Sequence, residues 1–97
     1  MFELIKTLTR QDKKTILERM VKLQEECGEL AQEILIHLQT SGSQHKEKGL
    51  DGIKGESIDV ILVALSIFFD EGGTQEEFDA LIKQKSLKWE KLMKKKA

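Results

Sequence analysis

Ninety-seven residues, 39% of them apolar and none of them proline, with 16 Lys+Arg against 17 Asp+Glu, describe one small domain spanning residues 1–97. The balance excludes a large basic groove for nucleic acid, and the lone Cys27 excludes an internal disulfide. With His37 and His45 as the only histidines, a nitrogen and sulfur zinc site is excluded too, so any metal must be held by oxygen.

The net charge of -1 hides a sorting along the chain. Residues 56–80 carry seven acids and no base, whereas residues 81–97 carry seven bases and one acid. The longest apolar stretch, Val60 to Phe69, is half of what a bilayer span needs. Met1-Phe2-Glu3-Leu4 does not read as a secretory signal, which predicts a cytoplasmic protein without a membrane partner.

In chain order, residues 2–8 predict a short helical turn, with Thr9 as the N-cap of the next helix. From about Asp12 to Gln39, Ile16, Met20, Leu23, Cys27, Leu30, Ile34 and Leu38 recur at steps of four and three, the pattern of a long amphipathic helix. Cys27 reads as a core residue of this stripe, and Gly28 as a place where another helix or a substrate comes close. Residues 41–55, with four of the seven glycines, predict a glycine-rich loop. Glu56 to Asp70 is apolar nearly all round beyond its first turn, as in a bundle centre or a subunit interface. Gly72-Gly73 ends it, and Thr74 with Glu77 forms a capping box for a third long helix. That helix places Phe78, Leu81, Ile82, Trp89, Leu92 and Met93 on one stripe, then ends in a frayed basic tail at 94–97. The expected fold is all-α: a small bundle of three long helices plus a short N-terminal one. A chain of this size gains stability from sharing a core, so a homodimer or homotetramer is expected.

Two acidic pairs stand out. Glu26 and Glu29 are neighbours on one helix surface, and Glu56 and Asp59 have the same spacing on the next, with Asp59 leading into the apolar run. Taken singly, each pair is also what a solvated helix face or a helix N-terminus carries. Brought together, two carboxylates 4 Å apart repel by about 4 kcal/mol at an effective dielectric of about 20. A hard divalent cation, Mg²⁺ or Mn²⁺, removes that repulsion, and the loop is long enough to return Glu56 to the level of Glu29.

The strings Lys22-Leu23-Gln24-Glu25-Glu26-Cys27-Gly28-Glu29-Leu30-Ala31 and Glu56-Ser57-Ile58-Asp59-Val60, 26 residues apart between Glu29 and Glu56, resemble the MazG-like all-α nucleoside triphosphate pyrophosphohydrolases. Their signature is E-E-x-x-E, a variable gap, then E-x-x-D. The resemblance implies that Glu26, Glu29, Glu56 and Asp59 hold Mg²⁺, which in turn holds a nucleotide triphosphate. It implies cleavage between the α and β phosphates to a nucleoside monophosphate and pyrophosphate, with Glu25 as the general base. Lys85 lies at the centre of the last apolar stripe, where its charge meets a phosphate, pairs with a core carboxylate or snorkels to the edge. The resemblance favours the phosphate, with Lys88 one turn along as a second contact. Phosphoribosyl-ATP pyrophosphohydrolysis is the enzymatic alternative, and a non-catalytic helical module that binds a nucleotide or a partner is the alternative from another class.

Overall fold

A computed structural model describes residues 1–38 and 52–96. It contains four helices and, among the described residues, no strand: α1 (Phe2–Gln11), α2 (Ile16–His37), α3 (Gly52–Asp70) and α4 (Gln75–Lys96). The all-α expectation holds. Most of the glycine-rich loop, with His45, falls outside the described residues, but α3 already begins at Gly52, whose φ of 66° is one that glycine adopts without strain.

The N-terminal turn is a full helix of ten residues, and Thr9 does not cap α2. Thr9 is buried inside α1, its hydroxyl donating to the Ile5 carbonyl at 2.8 Å. The N-cap of α2 is Thr15: the Glu18 backbone N–H donates to Thr15 Oγ1 at 3.1 Å, and the Thr15 N–H donates to Glu18 Oε1 at 2.9 Å. This reciprocal box satisfies two N–H groups that a helix start otherwise leaves open. The same chemistry starts α4, where Thr74 and Glu77 exchange bonds of 3.1 and 3.2 Å, as the sequence predicts. Gly72, at φ 84°, closes α3, and its N–H donates to the Phe69 carbonyl.

Helices α2 and α3 pack together and α1 lies against α3. The pairing is antiparallel: Arg19 near the start of α2 meets Asp70 at the end of α3, with 3.9 Å between Arg19 Nε and Asp70 Oδ1. Arg19 is 3% exposed and also donates to the carbonyls of Thr9 at 3.1 Å and Asp12 at 2.8 Å, so one guanidinium ties α1, α2 and α3. At the other side of this junction all four phenylalanines meet. Phe2 lies tilted against Phe78 with ring centroids 4.7 Å apart and touches Phe69 edge-on at 6.0 Å, while Phe68 contacts both Phe69 and Phe78.

The orientation of α2 overturns the expected burial. Its buried residues are Arg19, Glu26, Glu33 and Ile36, while Ile16, Met20, Cys27, Ile34 and Leu38 of the apolar stripe are exposed. Cys27 is therefore not a core residue within the chain, and a Cβ added at Gly28 would meet nothing within 4 Å among the described residues, so none of α1, α3 and α4 approaches there. In α4, Phe78 is half-buried and every other residue is exposed, Trp89 included. The stripe around Lys85 is not covered by this chain, because α4 leaves the other helices after its first turn.

Candidate metal centre

The acids expected to act together come from α2 and α3. Glu26 and Glu29, one turn apart on α2, and Glu56, in the second turn of α3, each present a carboxylate oxygen within 4.8 Å of the others. The antiparallel α2–α3 contact brings them together, with Glu26 on the line of inward residues Arg19, Glu26 and Glu33. Glu26 and Glu56 are buried and Glu29 is exposed at the margin, so the cluster is open on one side.

Its electrostatics reflect crowding. The Glu29 carboxyl is pushed above its usual range, first by the negative charge of Glu26, then by loss of water and by a hydrogen bond with Glu26. A hydrogen bond with Glu56 partly offsets this. The only cation in contact with this cluster among the described ion pairs is Lys22, one turn before Glu26, whose Nζ lies 2.7 Å from Glu25 Oε1 and 3.3 Å from Glu26 Oε1. Glu26 itself is 8% exposed, and its Oε2 is buried with no hydrogen-bond partner. An orphaned carboxylate oxygen beside two further carboxylates is a donor set that fits a hard divalent cation.

The remaining expected residues fall elsewhere. Asp59, one turn beyond Glu56 and half-buried, is not in the three-acid group. Glu25 is exposed and paired with Lys22. Lys85 and Lys88 are exposed on α4. Two residues near the site were not singled out from the sequence. Lys22 could have been found from its spacing, three and four residues before Glu25 and Glu26. Arg19 could have been found from the heptad 19, 26, 33, a polar line along a helix that has to pack on something.

Above the cluster along α2 and α3 lies a pocket of about 190 Å³ lined by Asp12, Lys14, Arg19, Lys22, Leu62, Val63 and Ser66. Leu62, Val63 and Ser66 form its α3 wall, and the opposite wall carries Arg19, Lys22 and the Lys14–Asp12 ion pair. No helix among the described residues is long and apolar enough to cross a membrane. No family model, curated protein or solved structure matches this chain.

Proposed function

We propose that the protein is a Mg²⁺-dependent nucleotide triphosphate pyrophosphohydrolase of the MazG-like kind, working as an oligomer in the cytoplasm. The observation that carries this reading is the convergence of Glu26, Glu29 and Glu56 from two helices around a buried carboxylate oxygen that lacks a partner. These are three of the five acids that the E-E-x-x-E and E-x-x-D strings single out.

In this reading Glu26, Glu29 and Glu56 hold the divalent cation, with Asp59 as the further ligand from α3. The bound cation supplies charge neutralisation on the phosphates and takes the place of the repulsion among the acids. Glu25 accepts the proton of the water that attacks the phosphorus, a role open to it once Lys22 turns away. The pocket beside Lys22 offers part of the nucleotide the apolar Leu62 and Val63 on one side and the Arg19 and Lys22 cations on the other. Lys85 and Lys88 bind phosphate oxygens.

Purified protein with Mg²⁺ is expected to release pyrophosphate and a nucleoside monophosphate from at least one member of a panel of NTPs and dNTPs. Glu56→Gln and Asp59→Asn are expected to abolish turnover and Mg²⁺-linked thermal stabilisation while leaving the far-ultraviolet helical signal intact. Wild-type turnover in Glu56→Gln would sink the assignment. Silence across the panel would move the reading to phosphoribosyl-ATP or to binding without turnover.

A further inference from the structure

A cleft of about 310 Å³ opens between α1 and the turn that joins α3 to α4. Lys6, Thr9 and Arg10 line it from α1, Phe69 and Asp70 from the end of α3, and the glycine turn closes it. Asp70 stands about 20 Å along α3 from Glu56, so the cleft is well away from the acidic cluster.

Its charges are not balanced. Lys6 and Arg10 lie one turn apart on the same face of α1, where like charges repel. Neither takes part in an ion pair among the described residues. Asp70, the one acid of the lining, faces Arg19 at 3.9 Å instead, and Glu3, the only acid of α1, does not pair with Lys6. Arg10 has a local reason to be where it is, since the last turn of a helix favours a cation. Lys6 has no such reason: in the middle of α1 and half-buried, it gives up exposure without gaining a counter-ion. The other donors of the lining are already engaged. The Gly72 and Gly73 N–H groups donate to the Phe69 and Phe68 carbonyls, and the Thr9 hydroxyl donates to Ile5, so an anion in the cleft is left to the two cationic side chains.

Two cations on one small group call for two negative charges. A phosphate monoester carries about -1.5 to -2 at neutral pH, and a single carboxylate supplies only half of that. A guanidinium fork with an ammonium beside it suits phosphate oxygens. The volume lies at the lower bound of small-molecule sites, roughly 300 Å³, which leaves room for a small organic body on the phosphate. Beyond the cations that body meets Asp70, an acceptor for hydroxyl groups that repels a second anion. We infer that the cleft binds a phosphate monoester with a hydroxylated body, of the sugar-phosphate type, its phosphate on Lys6 and Arg10 and a hydroxyl donating to Asp70. The inference requires neither a metal nor turnover at the acids.

The glycines report on it, because Gly72 and Gly73 lie at the cleft and Gly28 lies between Glu26 and Glu29. In the full chain labelled with nitrogen-15 at glycine, and in chelator, ribose 5-phosphate is expected to shift the Gly72 and Gly73 amide signals saturably and to leave Gly28 in place. Inorganic phosphate is expected to bind the same place about tenfold more weakly, and ribose not to bind. Competition by AMP at the same signals supports a nucleotide as the source of the monoester, and its exclusion supports a free sugar phosphate. Lys6→Gln and Arg10→Gln are each expected to weaken binding about tenfold or more, with Lys91→Gln as the neutral control. The wild-type spectra do not depend on any variant folding. Unmoved Gly72 and Gly73 signals, wild-type affinity in both cleft variants, or ribose 5-phosphate binding no tighter than inorganic phosphate overturns the inference. Mg²⁺ added in excess of chelator is expected to move Gly28, and its failure to do so counts against the metal centre alone.

Discussion

Lys22 places one ammonium between two carboxylates, 2.7 Å from Glu25 and 3.3 Å from Glu26, at the edge of the acidic cluster. Its own proton is held more tightly than usual, through the bond to Glu25 first and Glu26 second. Lys22 thus stands in for part of the positive charge the acids require. Lys22→Met is expected to lower the thermal midpoint of the metal-free protein and to enlarge the upward shift that Mg²⁺ produces. Differential scanning fluorimetry with and without Mg²⁺ reads both, and a variant with an unchanged Mg²⁺ shift contradicts the account.

The raised pKa of Glu29 fixes a direction with pH. Because the folded chain holds this proton more tightly than the unfolded one, the contribution is fully present below the unfolded value of about 4.5 and is lost as pH rises through the folded value. Metal-free protein is therefore expected to lose stability from this group on going from mildly acidic to neutral pH. Glu29→Gln is expected to remove that loss and to be the more stable form at neutral pH without metal. Urea unfolding at a series of pH values checks it; a variant less stable than wild type at neutral pH in chelator goes against it.

Arg19 is the most buried charge described, and it holds the last carbonyls of α1 and the turn beyond. Arg19→Met keeps much of the volume but leaves the Thr9 and Asp12 carbonyls without their donor. A loss of about 3 kcal/mol is expected in urea titrations. Amide exchange in α1 should accelerate more than exchange in the middle of α2, since α1 loses its tether and α2 does not.

Gly73 sits against the face of Phe68, and a Cβ there would collide with that ring. Gly73→Ala is expected to displace Phe68 from the four-ring cluster at a cost of about 1–3 kcal/mol. Proteolysis in the turn at 71–74 should quicken in the same variant, and an unaltered cleavage rate would show that the ring yields at no cost.

Much of this was legible in the residues. The helix over Gln75–Lys96 follows from Thr74 and Glu77, and the same T-x-x-E box at Thr15 and Glu18 was there to mark the start of α2 in place of Thr9. Helical spacing alone brings Glu26 next to Glu29. Which face of α2 turns inward was not legible, because a stripe such as Met20, Cys27 and Ile34 says only that something must cover it. Here the side that packs on α3 is instead the line of Arg19, Glu26 and Glu33. The set of acids that meet was legible only in part: spacing treats Asp59 and Glu56 as equals, but the register of α2 on α3 groups Glu56 alone with the α2 pair.

The four phenylalanine rings have a mechanical consequence. Phe78 is the single point at which α4 is embedded, so it serves as the bearing of a lever that extends about 30 Å beyond it. A tilt of about 10° at that bearing sweeps the far end, and the lysines on it, through about 5 Å. Small changes in ring size at Phe2, Phe68 or Phe78 therefore re-aim the seven lysines of α4 without touching any residue that carries the charge.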